Sequence, residues 1–231
     1  MPFTSSHPAI ILPIHRTGLC LTGLIVGSLT PDFEYFIRMK IQSDFSHTFW
    51  GGIYFGIPVA LILCMLFHLV IKRELILNLP SKLQLRLIPI LDFNWLEHLK
   101  SKWPIVILSI LIGNYSHVLW DSFTHTDAYF VNALSLHRSF GSNHYPIFKI
   151  LQHGSTVLGG LYLVYFIVNL EEIKGRASEP NPKYWLAFIL LTLAVLALRF
   201  YGGLKINQYG NVIVSAITAS MISIAIVSLT V

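Results

Sequence analysis

Five long apolar runs dominate the chain, and its polar residues gather in the segments between them. The runs cover residues 49–71, 103–123, 150–170, 184–200 and 212–231. Each approaches or reaches the ~20 residues that a helix needs to cross a bilayer. The pattern predicts an all-α fold, a polytopic bundle of transmembrane helices with about five to six spans.

Two further segments are apolar but irregular. Residues 9–29 are interrupted by Pro13, His15, Arg16 and Gly18. Because polar breaks within lipid must be satisfied by protein or water, this segment either spans once or folds back as two short helices. Residues 79–102 alternate leucine and isoleucine with charged side chains. That alternation predicts an amphipathic helix lying in the membrane interface.

Composition supports a membrane protein and excludes several other classes. Hydrophobic residues make up 54% of the 231 residues and charged residues 12%, whereas about a quarter of a typical soluble domain is charged. The net charge is +5, but the basic residues are scattered through the connections, so no nucleic-acid partner is expected. We predict one integral-membrane domain over residues 1–231, whose partner is the lipid bilayer and whose residues 184–231 form two plain apolar spans.

The distribution of lysine and arginine predicts the orientation of the spans. The connections 72–102 and 170–183 carry nine of these residues, and the connections on the opposite side carry six. Cytoplasmic connections are enriched in lysine and arginine, so the nine-charge side is predicted to be cytoplasmic. Residues 31–47 and 125–149 then lie on the exoplasmic face.

Most of the chain's ten histidines lie in or beside the six-charge connections, together with several carboxylates. They are His47, His117, His125, His137, His144 and His153, with Asp32, Glu34, Asp44, Asp121 and Asp127. Because successive spans alternate in direction, the segment before residue 49, the end of the second span and the start of the third share one membrane face. We therefore expect these groups to meet.

The sharpest pattern is His117-x3-Asp121-x3-His125. On a helix these positions form one stripe, with the outer pair ~12 Å apart along the axis. That distance is too long for one metal, so two metals sharing Asp121 as a bridge fit the spacing better. Imidazole and carboxylate suit zinc, and also iron or manganese. The alternative is structural: Asp121 caps the helix end and both histidines bond to it or to nearby carbonyls.

Other side chains are candidates for the same site. Pro31 is expected to end a helix and leave Asp32 and Glu34 on a loop at the membrane surface, as proton acceptors or as simple turn residues. Arg138 either binds a phosphate through its guanidinium or is a solvated loop residue. His153 is a ligand, a general base or a satisfied core histidine.

A short internal echo links several of these positions. The pair Ser46-His47 and the pair Ser116-His117 each begin a five-residue segment that ends in tryptophan, and Ser6-His7 supplies a third such pair. The repeat makes His7 a further candidate for the same site.

The segments MPFTSSHPAI, TPDFEY, SHTFWGG, SHVLWDSFTH and LQHGSTVLGG, in this order, resemble a bacterial integral-membrane family, the domain-of-unknown-function 4184 family. The resemblance covers roughly residues 1–170. More distantly, the chain is similar to bacterial membrane-bound metal-dependent hydrolases and to zinc-dependent phospholipase C.

The distant resemblance implies a ligand set, with Asp121 as a bridge between two zinc ions. It implies His117 and His125 as flanking ligands, His47 and Asp32 as further ligands, and His153 as the later ligand. The early histidine is His7 or His15, and His7 requires a folded-back amino-terminal segment. The sequence departs from the phospholipase-like His-x3-Glu pattern, because Val157 stands where the glutamate would be.

These observations predict a multi-pass protein of the bacterial cytoplasmic membrane that hydrolyses a phosphoester in a lipid or lipid-linked head group. Zinc is the favoured metal, Asp32 or Glu34 the proton acceptor and Arg138 the group that stabilises charge on the phosphate. The rival hypothesis is a non-enzymatic metal or proton carrier, or a scaffold with structural histidines. The sequence predicts no oligomeric state.

Overall fold

The computed structural model describes residues 3–140, 144–175 and 177–230. Three parts of the predicted features lie outside the described residues. They are residues 141–143, in the connection that carries Arg138; Arg176, on the nine-charge side; and Val231, at the end of the last predicted span. Apart from one short hairpin, the regular structure of the described residues is helical; it is mostly α-helix, with short 3-10 helices and two π-helical segments, Gly52–Gly56 and Phe67–Ile71.

The described elements are α1 (Pro8–Ile11), α2 (Leu21–Gly27), α3 (Phe33–Arg38), α4 (Phe49–Leu77), α5 (Ser81–Leu87), α6 (Trp95–Asp121), α7 (Tyr129–Ala133), β1 (Ser139–Phe140), β2 (Tyr145–Pro146), α8 (Ile147–Val168), α9 (Pro182–Tyr201) and α10 (Tyr209–Thr230). Five of these helices, α4, α6, α8, α9 and α10, are long and apolar enough to cross a membrane. They correspond to the five apolar runs, so the predicted all-α polytopic bundle is confirmed.

The amino-terminal segment folds back. Helices α1 and α2 have 4 and 7 residues, far fewer than the ~20 that a span requires. The ring of His7, just before α1, stacks on His117 with centroids 3.6 Å apart. The carbonyl of Ser28, just after α2, lies 2.7 Å from Nδ1 of the same His117. Because both ends of the segment meet one side chain, it does not cross as a single span.

The stretch predicted as one amphipathic helix, residues 79–102, is divided in the structure. Helix α5 forms its first part, and its last part belongs to α6. The Asn94 side chain accepts a hydrogen bond of 3.2 Å from the backbone N–H of Glu97, as an N-cap does. Lys102, two residues before Pro104, leaves helical geometry with φ −128° and ψ 23°, so proline bends α6 at this point.

Contacts divide the chain into two compact units. The first unit contains residues 1–32, 45–60 and 102–167, and the second contains residues 33–44, 61–101 and 168–231. Within the second unit α9 packs on α10, and Lys72 donates hydrogen bonds to the carbonyls of Ile90, Leu91 and Phe93 at 2.9–3.2 Å. A single domain over the whole chain stays a prediction.

Two glycines allow α2 to cross α6 with their backbones in contact, inside the first unit. A Cβ atom added at Gly113 would lie 2.2 Å from the carbonyl oxygen of Leu24. One added at Gly27 would lie 2.3 Å from the carbonyl oxygen of Ile110. No other residue type fits so close an approach. The crossing fixes the end of α2 against the turn of α6 that precedes His117.

Candidate metal centre

Four donor atoms converge in the first unit. They belong to Asp32, His47, His117 and Asp121, and all lie within 4.8 Å of one another. Nε2 of His117 is 3.2 Å from Oδ2 of Asp121 and 3.6 Å from Oδ1 of Asp32. Nε2 of His47 is 3.4 Å from Oδ1 of Asp32 and 3.6 Å from Oδ2 of Asp121. The convergence expected from the alternating spans is therefore present.

Each donor is positioned by the local structure of its own segment. His117 and Asp121 lie one turn apart on the last part of α6, so both point the same way. Asp32 ends the 3-10 turn Thr30–Asp32 that follows α2. His47 precedes Thr48, whose hydroxyl accepts a hydrogen bond of 3.0 Å from the N–H of Gly51 and caps the start of α4.

Hydrogen bonds orient both histidine rings toward the centre. Nδ1 of His117 contacts the Ser28 carbonyl, which can only accept, so Nδ1 carries the proton. The Ser46 hydroxyl donates to the Pro31 carbonyl at 2.7 Å. Its oxygen then accepts from Nδ1 of His47 at 3.1 Å. In both rings the lone pair is left on Nε2, as in metal-binding histidines whose other nitrogen is held by a partner.

The converging atoms are buried without ordinary hydrogen bonds. Nε2 of His117, Oδ1 of Asp32 and both carboxylate oxygens of Asp121 have no hydrogen-bond partner and are shielded from solvent. A buried polar group left in this state costs about 1–3 kcal/mol, and more when it is charged. One bound cation would satisfy Nε2 of His117, Oδ1 of Asp32 and Oδ2 of Asp121 at once.

The spacing of the donors fits a small divalent cation. Four ligands ~2.0–2.1 Å from a tetrahedral zinc ion lie about 3.3 Å from one another. The four nitrogen–oxygen distances between the histidines and the aspartates, 3.2–3.6 Å, are close to this value. Two imidazole nitrogens and two carboxylate oxygens suit zinc, iron or manganese. Asp32, His47, His117 and Asp121 would hold the ion.

Two more histidines flank the other oxygen of Asp121. Nε2 of His7 and Nδ1 of His125 lie 3.6 Å and 3.7 Å from Oδ1 of Asp121. Helix α6 ends at Asp121, so His125 lies on the following turn. There the backbone N–H of His125 donates to the Asp121 carbonyl at 3.1 Å. The predicted stripe is therefore helical only up to Asp121, although all three side chains still meet.

Charge states in the centre follow from burial. Burial, reinforced by the nearby His117, lowers the pKa of His7 to about 3, and burial also lowers the pKa of His125. Burial opposes ionisation of Asp32, but the nearby His117 and the hydrogen bond from Thr4 hold its pKa below the usual value. Neutral imidazoles and an ionised carboxylate are the forms that bind metals.

The expectation that Asp32 and Glu34 lie on a surface loop is wrong. Both occupy helical turns, with exposures of 0% and 3%. Glu34 belongs to the second unit, where its carboxylate accepts hydrogen bonds from Arg38 at 2.9 Å, Ser43 at 3.1 Å and the Asp44 N–H at 2.9 Å. The Glu34 carboxylate therefore forms an ion pair with Arg38.

Two predicted residues lie outside the four-donor group. Arg138 is exposed on the connection before β1. His153 is exposed on α8 and lies beside the ring of Tyr145, with centroids 6.4 Å apart. Within the described part of the chain, the donor group contains neither.

Several supporting groups were not predicted. Thr4 donates a hydrogen bond to Oδ2 of Asp32, and the Ser28 carbonyl and Ser46 hydroxyl orient the two rings. The repeated Ser-His pairs were the one sequence feature that pointed to part of this arrangement. Their three histidines, His7, His47 and His117, all contact Asp121.

Five apolar helices and a buried group of two histidines and two aspartates define a multi-pass membrane protein with a candidate metal centre. The chain belongs to the family described as domain of unknown function (DUF4184), whose model matches residues 1–230. No curated protein matches the chain, and no solved structure matches it.

Proposed function

We propose that the protein is a metal-dependent hydrolase that cleaves a phosphoester in a lipid or lipid-linked head group at the membrane surface. The observation that carries this proposal is the buried donor group at the end of a helix long enough to cross a membrane. Ionisable groups at such positions are costly and usually functional. Zinc is the favoured metal, with iron or manganese as alternatives.

The side chains of the centre divide into a closed and an open side. Those of Asp32 and His117 are fully buried, whereas those of His47 and His125 are 23% and 33% exposed. A head group would therefore approach past His47 and His125. A divalent cation at the centre supplies Lewis acidity toward a phosphoryl oxygen. Asp32, whose Oδ2 is held by Thr4, is the proposed proton acceptor, and Arg138 stays a prediction for binding phosphate.

We further propose a second cation position beside the first. Oδ1 of Asp121 lies 3.6 Å from Nε2 of His7 and 3.7 Å from Nδ1 of His125, and these distances approach the ~3.3 Å expected between ligands of one ion. Nδ1 of His125 also contacts the Asp121 carbonyl at 3.0 Å, so an ion bound here would replace this hydrogen bond. Asp121 would then bridge the two positions, with one oxygen directed to each.

Hydrolysis by the purified protein tests the proposed function. With Zn²⁺, Mn²⁺ or Fe²⁺ added in turn, we expect release of inorganic phosphate from phosphatidic acid in mixed micelles. Removal of the metal by a chelator should abolish release, and its return should restore it, because the cation would act as the Lewis acid that activates the phosphoryl group. Stoichiometric metal without hydrolysis of phosphatidic acid or of a phosphodiester lipid would favour the rival carrier or scaffold.

Thiol labelling tests the predicted exoplasmic location. Ser139 and Ser81 are both exposed, and α6 is the one candidate span between them in the described chain. In a background with Cys20 and Cys64 replaced, a cysteine at Ser139 should react with an impermeant reagent on intact cells, and a cysteine at Ser81 should not. Reversed labelling would place the centre on the cytoplasmic face. Labelling of both positions would contradict the assigned span.

A further inference from the structure

An apolar cavity lies beside the metal centre in the first unit. Its volume is about 640 Å³, within the ~300–1,000 Å³ typical of ligand pockets. The lining includes residues of α1 and α8, among them Ile10, Leu151, Gly154 and Leu158. Within the described residues no aspartate, glutamate, lysine or arginine lines it, and its titratable side chains are His7 and Tyr162.

The two serine hydroxyls in the wall of the cavity are already engaged, and the other side chains in the wall are apolar except for His7, Trp120 and Tyr162. The Ser6 hydroxyl donates to the Thr156 carbonyl at 2.9 Å. The Ser155 hydroxyl donates to the carbonyls of Leu151 and Gln152 at 2.6 and 3.1 Å. The wall therefore has little to offer a polar ligand and favours a hydrocarbon.

His7 joins the cavity to the metal centre. It lines the cavity, while its Nε2 lies 3.6 Å from Oδ1 of Asp121 and its ring stacks on His117. Only the His7 side chain would therefore lie between a molecule in the cavity and the donor group. Helix α8, which forms one wall, is a candidate span, so bilayer lipid is the source nearest to the cavity.

We infer that the cavity holds a hydrocarbon chain of a lipid whose phosphate head group lies at the metal centre. This inference rests on the proposed function and deepens it, because it makes the substrate a lipid bound by its chain as well as its phosphate. A water-soluble phosphoester would leave the cavity unused.

Gly154 gives access to the cavity without disturbing the packing of α8. A Cβ atom added there meets nothing within 4 Å. At Gly159, by contrast, an added Cβ would lie 2.9 Å from the Ser6 carbonyl oxygen. Gly154→Phe should therefore place a ring inside the cavity and obstruct it, and Gly154→Ala should leave it open. Val157→Phe is the matched control, because Val157 lies on the same helix, is 59% exposed and does not line the cavity.

Photocrosslinking tests the inference without relying on catalysis. The probe is phosphatidic acid with a diazirine on one acyl chain, incorporated in nanodiscs with the full-length protein and Zn²⁺. We expect crosslinks at Ile10, Leu151 and Leu158, reduced about tenfold or more in Gly154→Phe because the added ring occupies the path of the acyl chain. Gly154→Ala and Val157→Phe should label as the natural chain does, and metal content should be equal in all four proteins.

The head group is tested with the diacylglycerol that carries the same diazirine chain. It should label the cavity markedly less than phosphatidic acid, because it lacks the phosphate. Equal labelling by both probes, or labelling unchanged by Gly154→Phe, would overturn the inference. Cavity labelling that depends on the phosphate, in a protein that releases no phosphate, would refute the hydrolase and leave the lipid site standing.

Discussion

Asp121→Asn is expected to lower cation affinity by more than about 100-fold while the protein still inserts and folds. Substitutions of groups that merely support a ligand already cost ~10–100-fold. Asp121 contributes both oxygens, one toward His47 and His117 and the other toward His7 and His125. Asparagine keeps the volume and removes the charge. Metal content of detergent-purified protein, measured by mass spectrometry, gives the result directly.

Two comparisons make this measurement specific. Asp127→Asn removes an exposed carboxylate from the same connection and should leave metal content unchanged. His125→Ala should lower the content from two equivalents to one, because it removes a ligand of the second position only. Two equivalents that persist in His125→Ala would instead show that the His125 ring is not a ligand and only contacts the Asp121 carbonyl. Full metal content in Asp121→Asn would eliminate the centre.

Gly113→Ala is expected to weaken the metal centre without changing a ligand. The added methyl would lie 2.2 Å from the Leu24 carbonyl oxygen and 2.7 Å from the Ser28 nitrogen. Helix α2 must shift, and the Ser28 carbonyl that holds Nδ1 of His117 shifts with it. We expect a stability loss of about 1–3 kcal/mol or more, as for other overpacked positions, together with reduced metal affinity.

Thermal unfolding in detergent and metal titration check this expectation. Gly154→Ala is the matched control, since its methyl meets nothing within 4 Å and alanine favours a helix over glycine. If Gly113→Ala behaves like Gly154→Ala in both measurements, the close backbone crossing of α2 and α6 is contradicted.

The sequence predicted the convergence of donors because apolar length and alternation report membrane faces. Those two features alone predicted that Asp32, His47 and Asp121 share one membrane face, although these residues lie far apart in the chain. They could not separate Asp32 from Glu34, because the turn that buries one carboxylate among histidines directs the other toward Arg38. Local helical geometry, invisible in an apolar pattern, decides between two residues so near in sequence.

Other parts of the centre depend on tertiary structure. His7 joins it only because the amino-terminal segment folds back, and both paths of that segment fit its apolar composition. The Ser28 carbonyl is a backbone group that every residue type carries, so no side-chain pattern identifies it. The close crossing at Gly27 and Gly113 depends on which helices are neighbours, and the pattern of apolar and polar positions does not reveal this.

The folded-back segment gives the cation a mechanical role in addition to a chemical one. Three distant stretches of chain contribute to the centre. Thr4, His7 and Asp32 come from the amino-terminal part, His47 lies just before α4, and His117 lies on α6. One ion would therefore cross-link these stretches. Closing such long loops is entropically costly, and binding free energy is then also folding free energy. The amino-terminal segment is held by short helices rather than by a full span. Its anchoring would therefore follow the supply of metal, and starvation for the metal would loosen this part of the molecule first.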